Sequence, residues 1–296
     1  MTPRTNIDKL IMISVQGKVA HPEHTGRHGF DAEGKPFLVV GTGGITYNVH
    51  LGDPAFGWAA DHLEPSVSAI ADQKERTNRI NAAFNYYACT GNEAIVVSGD
   101  AKGEKGVVVG HHGGGERVII EFPESTMEKM TIEDKILIKG FGQGLKFLDY
   151  PQICTYNLDP RIIPAWGIED TGDGILVPVA AEVPGELMGS GIGSTDMGKS
   201  DYDIMTADKD YIKELGLDKL RFGDFVAIKN HDNRYGRSFR RGAVTIGIVI
   251  HGDCLWAGHG PGVTTLISAV EPGLIKYKIT ERANLGAILG IGRFGK

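Results

Sequence analysis

Between Leu220 and Ala269 the chain concentrates more reactive side chains than in any other window of its length: His231, Asp232, Arg234, Arg237, Arg240, Arg241, His251, Asp253 and His259. Phe225 to Ile228 and Val244 to Ile250 are apolar runs of strand length, bounded by glycine or aspartate, and they read as buried strands. Residues two apart on an extended backbone share a face. His251 and Asp253, where the second run leaves the core, are therefore expected to converge on one ligand, a metal ion or a proton. His259 follows within Gly258-His259-Gly260-Pro261-Gly262, where glycine permits close backbone approach and exposed N–H groups. A hairpin end whose histidine meets only water has the same composition.

The chemistry these types support is metal-assisted hydrolysis or lysis of a small polar, anionic substrate. His251, Asp253 and His259, with His231 and Asp232, supply nitrogen and oxygen ligands for a divalent ion that activates water, and His251, Asp253 and His259 are the expected catalytic residues. Arg234, Arg237, Arg240 and Arg241 would orient a carboxylate or phosphate through planar forks, with Gly258 and Gly260 close to the substrate. The arginines serve equally well to pair with surplus acids. Two other functions compete: a non-catalytic, oligomeric binding or assembly module, and an RNA-binding barrel protein. The sequence leaves open whether the protein is an enzyme.

The elements that position these residues are mainly strands. Of 296 residues, 42 are glycine, about twice the ~7% usual share, which favours tight turns over helices. Hydrophobic residues at 41% and charged residues at 23% are ordinary globular usage, in a chain long enough for two domains. A net charge of -6 makes nucleic acid an unfavoured partner. Cys89, Cys154 and Cys254 are odd in number and far apart, which fits a reducing cytoplasm better than a disulfide framework. No apolar stretch approaches the ~20 residues of a membrane span.

Residues 9 to 20 read as a first strand, and the loop after it carries His21, His24 and His28, three imidazoles without a fourth ligand fixed by spacing. Phe37 to Val40 and Ile45 to Leu51 read as strands around a glycine turn at 41 to 44. Glu64-Pro65 predicts a helix running to about residue 88. Asp61 and His62 just ahead are adjacent, so a strand would point them apart and they make a weaker pair than His251 and Asp253; His111 and His112 offer either a metal site or a solvated turn, and adjacent side chains seldom share a face. Ala94 to Phe122 alternates apolar runs with glycine turns, the pattern of a small antiparallel barrel. Ile132 to Lys139 echoes Phe222 to Lys229, with Asp134 and Asp224 each preceding an alternating strand. Tyr150 to Trp166, with three prolines, reads as the linker between halves. Ile175 to Val183 reads as an edge strand because of Pro178, and Thr206 as the cap of a short helix. The expected architecture is mostly β with a few short helices, built of small SH3-like barrels and β-sandwich layers. Its domains are 1–150, with an SH3-like barrel at about 94–148, and 151–296.

Gly193 to Ser200 matches the P-loop pattern letter for letter, but Met188-Gly-Ser-Gly precedes it and Asp201-Tyr-Asp203 follows, which sets carboxylates where phosphate charge would lie. No nucleotide cofactor is expected; a divalent metal is allowed. Gly99 to Gly106 resembles the turn of SH3-like barrels in translation proteins, which implies RNA contact in some relatives. GDFVAIKNHDNRYGRSFRRGAVTIGIVIHGDC followed by AGHGPGV, with the earlier SGDAKGEKGVV and SDYDIM, resembles an uncharacterised bacterial family classed only as a domain of unknown function (family 4438). That resemblance implies a β-rich fold and no established activity. Leu176-Val-Pro-Val179, the glycines at 189 to 193 and Ser200-Asp201-Tyr202-Asp203 are also similar to acetamidase and formamidase enzymes, metal-bearing hydrolases of small amides. Those enzymes carry a histidine in this segment, whereas this chain has none between His112 and His231.

Overall fold

The structure, a computed structural model, describes residues 1–24, 28–39, 41–71 and 78–295. Its first half is organised by six antiparallel strands: β1 (Met12–Val19), β2 (Ser66–Ile70), β3 (Glu93–Val96), β4 (Lys105–His112), β5 (Arg117–Glu121) and β6 (Lys135–Phe141). They run in the order β1-β6-β3-β4-β5-β2, and β2 returns to β1 through Lys18 opposite Ile70 and Val19 opposite Ala69, so the barrel closes. Four of the strands fall in the 94–148 region, but closure needs β1 and β2 from outside it. Inward positions alternate with exposed ones along β6, and Val67, Val96, Val108, Ile120, Ile136 and Ile138 fill the interior.

The helix predicted from Glu64-Pro65 is not there: Ser66 to Ile70 is β2, every residue buried, and the helix begins only at Arg79 and ends at Tyr87, with the Asn78 side chain accepting from the Ile80 amide at 2.7 Å. Alternating Ser-Val-Ser-Ala-Ile suits a strand paired on both sides, and that pairing outweighs the helical signal of a preceding proline. Phe84 of this helix fits against Gly17 of β1, where a β-carbon would lie 2.6 Å from the ring. The strand expected at 45 to 51 extends only over Ile45–Thr46, and Pro36–Leu38 pairs with His28–Phe30, Val40 lying outside the described residues.

A second sheet follows from β7 (Cys154–Thr155), β8 (Ala181–Pro184), β9 (Asp201–Asp203), β10 (Phe225–Asp232), β11 (Ser238–Val249) and β12 (Gly262–Ala269). Its order is β7-β12-β11-β10-β8, with β9 also on β12; β8 runs parallel to β10 and the other pairs are antiparallel. Ile175 to Val183 is not one edge strand. It divides into Ile175–Val179, the middle of a three-stranded sheet, and β8. Pro178 is tolerated because the antiparallel neighbour Glu169–Asp170 reaches only Ile175 and Leu176. The short helix after Thr206 is Lys209–Glu214, capped by Asp208 rather than Thr206.

The expected linker is packed. Tyr150, Ile153, Leu158, Ile162, Ile163 and Trp166 are buried in a core that also holds Val109 and Ile119 of the barrel and Phe225, Ile246 and Leu266 of the second sheet. Gly110 of β4 allows the close approach, since a β-carbon there would meet Ile250 at 2.6 Å and Thr264 at 2.7 Å. The Thr264 hydroxyl accepts from the His111 amide at 2.9 Å and donates to the His111 carbonyl at 3.1 Å, joining β4 to β12.

Candidate metal centre

At this seam four imidazoles meet. The ring of His62 lies 5.0 Å from that of His251, 5.7 Å from that of His112 and 5.2 Å from that of His259, and the His112 and His251 rings are 4.3 Å apart. Each reaches the seam for a local reason. His112 ends β4 on the face opposite His111, whose Nε2 is bonded to the Ala88 carbonyl at 2.7 Å. His251 follows the last residue of β11 by two positions. His62 has a left-handed backbone, φ 53°, held by its amide donating to the Asp253 carbonyl at 3.2 Å.

The Nδ1 atoms are occupied. His62 Nδ1 donates to Asp61 at 2.8 Å, His112 Nδ1 donates to Glu64, and His251 Nδ1 donates to the Gly252 carbonyl at 2.8 Å. A carbonyl only accepts, so His251 must carry its proton on Nδ1, and in all three rings Nε2 is left for another partner. His62, His112 and His251 each offer a nitrogen to a group whose ligand atoms lie within 4.8 Å of one another.

Asp201 and Asp203 supply the oxygens. They alternate along β9 and so face the same side, while Tyr202 between them turns away to place its ring beneath Arg237. His251 Nε2 lies 3.1 Å from Asp201 Oδ2 and 3.5 Å from Asp203 Oδ1; His259 Nδ1 donates to Asp203 Oδ2 at 2.9 Å, and His62 Nε2 is 3.8 Å from the same oxygen. Asp201 Oδ1 accepts from the Gly113 amide at 2.7 Å, but Oδ2 and His251 Nε2, both buried, have no hydrogen-bond partner. Two such atoms facing each other share either a proton on Nε2, as an imidazolium–carboxylate pair, or a cation held between them. Ligands about 2.1 Å from a common ion stand roughly 3.0–3.4 Å apart, a spacing that the His251–Asp201 pair has and the His251–Asp203 and His62–Asp203 pairs exceed. Gly262 opposite makes room, because a β-carbon there would overlap the His251 ring and Asp201 Oδ2.

A proton and a cation compete for this place. Burial works against a charged His251, yet Asp201 and Asp203 outweigh it and hold its affinity for a proton well above the ordinary imidazole value. Burial lowers His62, Asp61 offsets this in part, and the neighbouring His251 and His112 lower it further. Asp203, which burial would raise, is brought below the usual carboxylate range by His251 and His259. Glu64 behind His112 falls to about 2, because Arg117, His112 and Ser68 more than offset its complete burial.

A cavity of about 810 Å³ opens onto the centre, lined by His62, His112, Asp201, Asp203, Arg237 and His259 among others. Nine buried side-chain polar atoms among the described residues lack a partner, and five of them belong to Arg117, Asp201, Arg237, His251 and Trp256 around this site. Native interiors hold few such atoms, and their clustering marks a place where a ligand or ion completes the bonding.

Of the residues singled out in the sequence, His251 and His259 meet here. Asp253 does not join them. Its carboxylate bonds Thr206 and Lys209, the latter at 2.9 Å, because the chain turns after His251 instead of staying extended. His231 is buried beside Asn233 and the Tyr202 ring, away from the ligand groups, and Asp232 pairs with Arg234 at 3.0 Å and Arg240 at 3.3 Å. Arg241 is exposed on β11. Gly258 has φ 79°, and Gly260 packs against the Ile204 carbonyl, a backbone role. His21 lies 3.5 Å from Glu133, His24 lines the cavity and His28 opens a strand; Thr25 to Arg27 lie outside the described residues. Gly193 to Ser200 runs through turns into β9, with no helix after it. His112 is reached only through the His111–His112 alternative and His62 only through the weaker Asp61–His62 pair, and no ligand signal in the sequence points to Asp201 or Asp203.

Fold and site together define a closed β-barrel joined to a second sheet, with a buried histidine–carboxylate centre at the join. The chain belongs to the family described as domain of unknown function (DUF4438): its N-terminal domain matches residues 28–164 and its C-terminal domain residues 165–289. The crystal structure of TM1086 is similar, with a TM-score of 0.90 and 44% sequence identity over 97% of this chain and 99% of that one. No curated protein matches the sequence, and none of these matches is an acetamidase or formamidase. Among the described residues no helix is long and apolar enough to cross a membrane.

Proposed function

We propose that the chain is a metal-assisted hydrolase or lyase acting on a small polar substrate. A divalent transition metal is held at His251, drawing on His62 and His112 from one side and on Asp201 and Asp203 from the other. The observation that carries this reading is the buried pair His251 Nε2 and Asp201 Oδ2, 3.1 Å apart and without a further hydrogen-bond partner, within a set of imidazoles whose Nδ1 atoms are already anchored. Mixed imidazole and carboxylate donors suit zinc, manganese, iron, cobalt or nickel, any of which supplies Lewis acidity and a bound water of lowered pKa. His259, partly exposed in the cavity wall with Nδ1 on Asp203, is placed to carry a proton to or from the substrate.

Preference for an anionic substrate is not supported by the four arginines. Arg234 and Arg240 are held by Asp232, Arg237 by backbone carbonyls, and Arg241 lies outside the cavity. Glu23, Glu116, Asp201 and Asp203 against Arg117 and Arg237 leave the lining acidic by two charges, which a divalent ion balances. The cavity then suits a polar substrate of little net charge.

Metal analysis of the purified protein tests the centre. About one equivalent is expected in the unsubstituted chain, strongly reduced in His62→Ala, His112→Ala and His251→Ala, and retained in Asp253→Asn and His231→Asn. With the metal in place, His259→Asn should keep the ion and lower turnover of small esters or amides by roughly 10²–10⁴. Metal that stays stoichiometric in His251→Ala refutes the assignment.

A further inference from the structure

We propose that Arg237 is a positioning residue for the metal centre, and not a substrate-binding arginine; this rests on the centre proposed above. Arg237 is 1% exposed, and its two Nη nitrogens go to backbone and hydroxyl oxygens instead of a carboxylate, with Nε unpartnered. Nη1 donates to the Asp201 carbonyl. Nη2 donates to the Ser200 carbonyl at 2.8 Å and the Ser200 hydroxyl at 3.1 Å, and the guanidinium carbon sits 4.6 Å from the centre of the Tyr202 ring. One side chain thus touches three successive residues, the last before β9 and the first two within it.

The backbone of Arg237 completes the brace. Its amide donates to the Ser194 carbonyl at 3.0 Å, and its carbonyl accepts from the Gly193 amide at 2.9 Å. Arg237 therefore fastens both ends of the Gly193–Ser200 loop, the segment with P-loop lettering, which here forms part of the cavity wall through Ser194 and Ser200. β9 is only three residues long. Its ladder to β12 fixes the strand's direction and the Gly113 amide holds Asp201 Oδ1, but Asp201 must also stand opposite His251 with Oδ2 free, which needs its backbone held as well. A planar fork that grips the carbonyls of residues 200 and 201 and stacks on residue 202 supplies the missing constraint. A lysine keeps the charge and loses the fork.

Titration with Co(II), followed by its visible absorption, tests this. Arg237→Lys and Arg237→Gln are expected to weaken Co(II) binding by about 10–100-fold, as loss of a ligand-orienting partner does, and to change the absorption envelope as Asp201 shifts. Arg234→Lys, on the Asp232 pair outside the centre, should leave both unchanged. If the Arg237 variants lose thermal stability but bind Co(II) with the original affinity and spectrum, Arg237 is structural only and the proposal is overturned. If the unsubstituted protein takes up no Co(II), the metal centre itself fails and this role falls with it, an outcome told apart by its appearance before any substitution.

Discussion

Gly262 shows how little room the centre leaves. It lies opposite Asp203 in the β9–β12 ladder, and a methyl group on it would overlap the His251 ring and the free oxygen of Asp201. Its φ is outside the left-handed region, so the requirement is close approach alone. Gly262→Ala should cost about 1–3 kcal/mol in urea unfolding, as overpacking does, and should lower bound metal with it. A variant of unchanged metal content would show that His251 and Asp201 need not meet. The rule that builds the carboxylate pair is legible in the sequence, but it holds for a different pair of residues than His251 and Asp253. Side chains two apart on a strand do share a face, yet this holds at Asp201 and Asp203, where β9 stays extended, and not at His251 and Asp253, where the chain turns. Asp61 and His62 read as the weaker pair because neighbours on a strand diverge. His62 instead has a left-handed backbone, and its ring folds back onto the Asp61 carboxylate.

Elements announced themselves where an apolar run and its bounding turn agreed. β1, β4, β5, β10 and β11 were readable for that reason, and so was the echo between Ile132 to Lys139 and Phe222 to Lys229. Asp134 accepts from the Thr131 amide and Asp224 from the Arg221 amide, each at 2.8 Å, so both strands open with the same local turn although β6 belongs to a closed barrel and β10 to an open sheet. β2 was unreadable because its strand character comes from partners distant in sequence, as does the contact between β4 and β12 that brings His112 to His251. The Thr264 hydroxyl holds that contact by serving the amide and the carbonyl of His111 together. Thr264→Val keeps the shape and strands both groups in a buried seam, for an expected loss of about 1–3 kcal/mol by urea unfolding. A loss within error of zero would mean that packing alone fixes the approach of the two sheets.

The whole molecule is tied across its midpoint in more than one place. Besides the shared core, the C-terminal Arg293 donates to Leu51 through its amide at 2.9 Å by way of that residue's carbonyl and pairs with Asp53 through its side chain, while Phe294 lies against Gly52. Residues 50 and 51 are in turn fixed to the barrel by Glu121, which bonds His50 Nδ1 at 2.7 Å and the Leu51 amide at 3.2 Å. Such a molecule should unfold as one unit, with tryptophan fluorescence and far-ultraviolet circular dichroism changing at the same urea concentration. The His50–Glu121 pair then acts on the global transition. The hydrogen bond to Glu121 raises the His50 pKa, against burial and the charge of Arg293. A group whose pKa is higher folded than unfolded stabilises fully below the unfolded value, about 6.5, and loses that contribution as pH rises through the folded value. His50→Gln should therefore lower the urea midpoint more at about pH 5.5 than at about pH 8.5. Equal losses at the two pH values would assign the pair to packing instead of charge, and two separate transitions would show that the halves fold independently.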